Sequence, residues 1–327
     1  MILVGDIGGT KTLFSLYENQ ESPSPRFQEK FSSQEYPDFS SLVSVCFSKW
    51  GVKGSDISRA CFALAGPIVS EKSQVTNLPW IVEKKFLEDS LGIPHVFLIN
   101  DLEAHAYGLF SLREEDLLLV NRGKEKKGNR ALLAAGTGLG EACLYWDGMT
   151  HRPFATEGGH VDFAPRNELE MELLRYLKKQ FEHVSYERIL SGHGFYQLYR
   201  FLIDMQLEKE SIELRKKMSI EDPAKVITEA AINGSCKACS RVVGWFISIY
   251  AAEAGNIALK FLATGGLFIA GGIIHKLQDF LSEENFLEPF SNKGRFSSFL
   301  KEIPIKVCLS ENTALLGAFF YAKNNNS

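Results

Sequence analysis

No apolar run in this chain is long and unbroken enough to cross a bilayer. The longest, residues 261–274, is interrupted by four glycines and falls short of the roughly 20 residues a spanning helix needs. The opening segment, MILVGDIGGTKT, lacks the charged and apolar regions of a secretory leader. Cysteine is sparse, with six in 327 residues, at 46, 61, 143, 236, 239 and 308. Only Cys236 and Cys239 are close together, and nothing near them completes a four-ligand zinc set. Two reduced thiols on a helix is the plain reading of that pair, and the scatter of the others suits a reducing cytoplasm. An excess of positive charge is missing too. Lys plus Arg number 36 against 40 Asp plus Glu, a net charge of −4, which argues against nucleic acid or an anionic membrane as partner. The phosphate-loop pattern G-x-x-x-x-G-K-[ST] is also absent.

What is present is the mix of an ordinary globular protein, 45% hydrophobic and 23% charged. The length suggests about two domains. Residues 2–5 are apolar, 6–10 read D-I-G-G-T, and apolar positions resume at 13–17, which predicts strand, tight turn, strand. Residues 19–30, polar and containing Pro23 and Pro25, read as a hairpin tip. The spacing of Leu42, Val43, Cys46, Phe47 and Trp50 predicts a helix over 40–50. A strand is expected over 59–65, a helix over 83–91, a strand over 96–99 and a helix over 102–110. The segment NRGKEKKGNR at 121–130 reads as a solvated basic loop. A second strand-turn-strand unit over 131–146 echoes the first and suggests an internal duplication. Helices are expected over 168–182 and 193–206, a polar surface excursion over 206–222, and a long helical stretch over 224–260 with Gly234 and Gly255 as interruptions. A strand runs into a glycine turn at 267–272, a strand follows over 303–309, and a last helix over 313–323.

Five groups of residues could carry chemistry. Gly8, Gly9 and Thr10 form a turn whose backbone amides can approach a phosphate without Cβ interference, with Asp6 as a carboxylate for magnesium held through water; an ordinary hairpin turn is the alternative. Residues 136–140, GTGLG, have G-x-G-x-G spacing before a strand rather than the dinucleotide pattern before a helix, and make sense as a second phosphate clamp. Asn100 and Asp101 end a strand, where Asp101 can take a proton from a hydroxyl or cap the following helix. Glu157, Gly158, Gly159 and His160, with Glu187 further on, offer the directional hydrogen bonds that a polyhydroxylated ligand needs; a surface Glu or a core histidine is the plain reading of each alone. Gly271 and Gly272 can lie flat against a nucleotide, or make a plain turn.

Together these segments resemble the bacterial glucokinase family, within the superfamily of sugar kinases, heat-shock ATPases and actin. The resemblance runs from residue 4 to about 318. It is carried by the 6–10 turn, TNLPW at 76–80, IND at 99–101, GTGLG at 136–140, EGGHVDFAP at 157–165, ERILSG at 187–192, FIAGGI at 268–273, KGRF at 293–296 and LLGA at 315–318. It implies an actin-like (ribonuclease H-like) α/β ATPase fold, with two α/β domains around a central cleft. The motif order implies a small domain of residues 1–110 plus 311–327 and a large one of 111–310. The implied activity is ATP-dependent phosphorylation of the 6-hydroxyl of D-glucose, the first step of glycolysis. A kinase of mannose or N-acetylmannosamine and a non-catalytic sugar sensor are the alternatives.

The resemblance also distributes roles. Asp101 maps to the catalytic base. Asn100, Glu157, His160 and Glu187 map to the sugar-binding side chains. Gly8, Gly9, Thr10, Thr137 and Gly138 map to the phosphate loops, Gly271 and Gly272 to the adenosine side, and Asp6 to Mg2+. A cytoplasmic homodimer is implied. Lys11 follows the first loop where some family members carry Asn; Lys is common there in the related ROK kinases. The cysteine-rich zinc motif of that group is missing, since residues 161–165 read VDFAP, so no zinc is expected. The chain begins directly at the phosphate turn, which disfavours a ROK-type repressor with an N-terminal helix-turn-helix.

Overall fold

The computed structural model describes residues 1–18 and 24–325, so residues 19–23 of the expected hairpin tip lie outside the described residues. The chain divides into two compact units, one of Met1–Asp116, Pro153–Ala155 and Ser310–Ser327, the other of Leu117–Arg152 and Thr156–Leu309.

The first unit begins with β1 (Ile2–Ile7), β2 (Lys11–Tyr17) and β3 (Phe27–Ser32), then α1 (Phe39–Trp50) and β4 (Arg59–Leu64). A small ribbon of β5 (Lys72–Gln74) and β6 (Ile81–Glu83) follows, then α2 (Lys84–Leu91), β7 (Val96–Asn100) and α3 (Asp101–Gly108). The sheet has the order β3-β2-β1-β4-β7. β1, β4 and β7 are parallel, while β2 and β3 fold back antiparallel. Side chains alternate across β1, as the two-residue strand period demands. Leu3 and Ile7 enter a core with Phe14, Phe39, Phe62 and Trp80, whereas Ile2 and Val4 enter a second core with Cys61, Ala63 and Ile99. α1 starts at Asp38, whose side chain accepts from the Ser41 amide at 2.8 Å, and stops at left-handed Gly51.

The second unit carries β8 (Leu117–Asn121), β9 (Arg130–Ala135), β10 (Leu139–Trp146), β11 (His151–Thr156), α4 (Glu168–Leu177), α5 (Gly192–Asp204), α6 (Ile212–Met218), α7 (Pro223–Ile232) and α8 (Lys237–Lys260). Next come β12 (Leu267–Ala270), α9 (Gly272–Leu277), α10 (Glu288–Ser291), α11 (Ser297–Lys301) and β13 (Ile305–Cys308). Its sheet order is β11-β10-β9-β12-β13-β8. The first five strands repeat the topology of the other sheet, and β8 is added antiparallel at the edge. The echo between residues 2–17 and 131–146 is therefore an echo of architecture. The chain returns to the first unit through α12 (Thr313–Asn324), which covers the Ile2 and Val4 face with Ala314, Leu315, Ala318 and Phe319.

Several sequence expectations shift. The excursion at 206–222 contains a short helix, α6, capped by Ser211. The helical stretch over 224–260 breaks once, at Gly234, where φ is 69°; Gly255 stays within α8, at a spot where a Cβ would lie 2.4 Å from the Phe290 carbonyl. Cys236 is not on the helix but caps it, its Sγ accepting from the Cys239 amide at 3.5 Å. All six cysteines are free thiols. α8 is long and apolar enough to cross a membrane by length and composition, yet 72% of its apolar window is buried, so its side chains are already taken up by the core.

Candidate active site

Ile7, Leu64 and Asn100 lie side by side at the carboxyl ends of the parallel strands β1, β4 and β7. One edge of this sheet thus receives the 6–10 turn, Gly66, and the Asn100 and Asp101 pair. That edge is where α/β sheets present ligands. The turn and Asn100 are two strand spacings apart, about 10 Å.

The turn closes with the Gly8 amide donating to the Lys11 carbonyl at 3.0 Å. Ser33 braces it, donating from Oγ to the Gly8 carbonyl at 2.8 Å and from its amide to the Thr10 carbonyl at 3.0 Å. A Cβ at Gly9 would lie 2.7 Å from the Thr76 carbonyl, so the TNLPW segment packs directly on the turn. Thr10 is exposed, leaving its hydroxyl available to a ligand. Loss of hydration pushes the Asp6 carboxyl up to about 6. Among the described residues no three His, Cys, Asp or Glu side chains gather as a metal centre. A single oxygen donor beside a phosphate turn suits magnesium, which keeps most of its waters and is held largely through substrate phosphates; Asp6 fits that role.

Asn100, not Asp101, is the N-cap of α3. Its Oδ1 accepts from the amides of Leu102 (2.8 Å) and Glu103 (3.3 Å), and its Nδ2 donates to the Gly66 carbonyl at 3.1 Å. An amide side chain has two donors and two acceptor sites, so one N–H remains for a ligand. Asp101 occupies the first helical position, where Oδ1 also meets the Leu102 amide at 2.9 Å. The helix N-terminus favours negative charge there.

In the second unit the Gly136–Gly138 turn is held by the Gly136 amide to the Gly138 carbonyl (2.9 Å) and by the Gly192 amide to the Gly136 carbonyl (3.0 Å). Gly192 opens α5 after its N-cap Ser191. The turn read as a second phosphate clamp therefore sits at the positive end of a 13-residue helix, a feature the glycine spacing did not announce. Gly271, at φ 96°, approaches the end of β9 so closely that a Cβ would lie 2.1 Å from the Ala135 carbonyl. Gly272 has open space where its Cβ would be.

Residues 161–163 pair with 184–186. The Phe163 amide donates to the Val184 carbonyl (3.0 Å), and the Tyr186 amide to the Val161 carbonyl (3.1 Å). This pairing carries Glu187 to His160, with Oε1 3.9 Å from Nε2. The other oxygen, Oε2, accepts from the Leu139 amide at 2.9 Å. A Cβ at Gly138 would lie 2.4 Å from that same oxygen, so Glu187 joins the polyol-binding candidates to the 136–138 turn. Glu157 and His160 are exposed, at the two ends of a single helical turn closed by the His160 amide to the Glu157 carbonyl at 3.0 Å.

Behind that turn lies a residue the sequence reading missed. Glu141 on β10 is buried, and its Oε2 would be 1.9 Å from a Cβ on Gly158. Burial first, and the nearby Glu253 carboxylate second, raise its carboxyl well above the usual range. Oε1 has no hydrogen-bond partner. Glu253 is itself fully buried, accepts from Asn256 Nδ2 at 2.7 Å and faces Lys260 Nζ at 3.3 Å. Lys293 of the KGRF segment donates to Asn256 Oδ1 at 2.6 Å, and burial lowers its ammonium below the usual range. The signal was available: one charged residue in an otherwise apolar strand.

Comparison with known proteins identifies the family and the fold. The family model described as glucokinase matches residues 3–325. A glucokinase of Nostoc sp. is 41% identical over 97% of both chains. A crystal structure of glucokinase from an Antarctic psychrotroph superposes with a TM-score of 0.82 at 30% identity, covering 99% of each chain. A ROK family glucokinase from Streptomyces griseus, in complex with glucose and AMPPNP, shares the fold at TM-score 0.67 and 18% identity over 99% of each chain. The fold is that of the actin-like ATPases, as expected from the sequence.

Proposed function

Because the chain belongs to the glucokinase family, we propose that it transfers the γ-phosphoryl group of ATP to the 6-hydroxyl of D-glucose with Asp101 as base. The observation that carries the assignment of the base is its place at the end of β7, on the same sheet edge as the 6–10 turn. In the reaction O6 forms a bond to the γ-phosphorus as the bridging oxygen to the β-phosphate leaves with ADP, and the proton of O6 passes to the Asp101 carboxylate. Such transfers demand positioning and charge stabilisation more than covalent work. Asn100 keeps one N–H for the sugar. Glu157, His160 and Glu187 supply further hydrogen bonds to hydroxyls. The turns at 8–10 and 137–138 receive phosphates, with Thr10 and Thr137 adding hydroxyl donors, and Gly271 and Gly272 leave room for the adenosine. Magnesium bound with ATP neutralises phosphate charge, and Asp6 would hold it through water.

Asp101→Asn tests the base. It keeps the size and polarity of the side chain but cannot take up the proton. The expected loss of kcat is about 10²–10⁴-fold, with ATP affinity nearly unchanged. A kcat close to that of the parent would show that the base lies elsewhere. A cytoplasmic homodimer is part of the same reading, supported by family likeness and by six free thiols; light scattering on the purified enzyme checks the dimer.

A further inference from the structure

The basic segment at 121–130 takes no part in the site above, yet it walls a cavity of about 470 Å³ at the opposite end of the same sheet. Arg130 opens β9 and Ala135 closes it, so the cavity lies one strand length, roughly 17 Å, from the 136–138 turn. Lys126, Lys127, Arg130 and Lys306 line it, against a single carboxylate, Glu125. Lys306 Nζ stands 3.6 Å from Glu125, and Lys126 is paired with Glu302 at 2.8 Å. Arg130 has no ion pair among the described residues. Its guanidinium lies over the Phe268 ring, 5.6 Å from the centroid, and its Nε is buried without a hydrogen-bond partner. Trp146, tilted 51° to the His151 ring with their centroids 4.8 Å apart, lines the cavity with an apolar ring.

A buried guanidinium donor without an acceptor is costly unless a ligand completes it. Guanidinium groups match phosphate oxygens with two parallel hydrogen bonds. The volume falls in the range of small-molecule sites, and the concave shape separates this place from a flat strip that would track a polyanion. We propose that the cavity binds a small phosphate monoester, with Arg130 as the anchor of the phosphate, Lys127 and Lys306 as its further cations, and Trp146 as the wall against the organic body.

Phenyl phosphate and glycerol 3-phosphate, titrated into the whole enzyme by calorimetry and by tryptophan fluorescence, test this. Saturable binding at or below about 1 mM is expected, weakening with salt, and absent for glycerol and phenol. Arg130→Gln should weaken it at least tenfold while leaving the rate of glucose phosphorylation within about twofold. Lys306→Gln, on β13 with β12 between it and β9, should weaken it several-fold and serves if Arg130→Gln does not fold. Trp146→Phe should remove the fluorescence change but keep the calorimetric signal. No saturable binding up to about 10 mM, or affinity unaltered in folded Arg130→Gln and Lys306→Gln, overturns the proposal. So does retention of single-stranded RNA by an enzyme that ignores both phosphate esters.

Discussion

At the scale of single residues, neighbours in sequence hold unlike tasks. Asn100 spends most of its amide on the backbone, capping α3 and tying it to Gly66, while Asp101 beside it stands as the proposed base. Asn100→Ala should therefore cost about 1 kcal/mol of stability through the lost cap, read in urea melts, and should raise the KM for glucose through the lost N–H. Glu141 makes a different prediction. Its carboxyl titrates above the usual 4.5 because ionising it means charging a buried site beside Glu253. The folded state then binds the proton more tightly than the unfolded chain does. Stability is undiminished below the ordinary carboxylate pKa and falls as pH rises above it. Glu141→Gln, which is neutral at every pH, should flatten that decline and gain on the order of 1 kcal/mol or more at pH 8 over the parent; an unaltered pH profile of melting would refute it. The sequence motifs did single out Asn100 and Asp101, but assigned capping to the wrong one. Which of two adjacent polar residues caps is decided by backbone angles that spacing does not encode. Glu141 escaped notice because a lone Glu carries no motif.

Elements tell a similar story through their glycines. Motif order showed the strands that end in glycine turns, since glycine and polar residues punctuate each one. It did not show why particular helical glycines are there. Gly234 breaks a helix, whereas Gly255 and Gly317 are packed into by carbonyls. A Cβ would lie 2.4 Å from the Phe290 oxygen at Gly255 and 1.7 Å from the Ala104 oxygen at Gly317. Gly317 of the LLGA segment therefore lets α12 settle onto α3. Gly244, also within α8, has nothing within 4 Å of its would-be Cβ. Alanine at 317 should destabilise by about 1–3 kcal/mol or more through forced separation of the helices, and alanine at 255 likewise. Alanine at 244 should stabilise by roughly 0.5–1 kcal/mol, the ordinary gain of a helical side chain over glycine. Thermal melts of the three variants should move in those opposite directions.

For the whole molecule, the informative feature is that the first unit is assembled from both ends of the chain. α12 brings Ala314, Leu315, Ala318, Phe319 and Ala322 to its sheet. Phe319 stacks on Tyr17 at 4.2 Å, and Arg59 donates to the Ala322 carbonyl at 3.1 Å. A chain ended after Leu309 should lose more than ~5 kcal/mol from this unit, counting only the two large side chains. Limited proteolysis should then cut within residues 1–116 while 156–309 resists, and glucose phosphorylation should vanish. Equal resistance of both stretches would contradict the prediction.

The same arrangement sets a timetable on the ribosome. The five strands of the first sheet emerge early, but the helix that covers one of their faces is made much later. About 200 residues separate the end of the first stretch from α12, which at ~5–20 residues per second is roughly 10–40 s of synthesis. Through that interval Ile2, Val4, Cys61, Ala63 and Ile99 have only Ala104 of α3 over them, whereas the second unit is complete before α12 is made. The yield of folded enzyme in a cell should thus track how well that one early face is sheltered while the rest of the message is read.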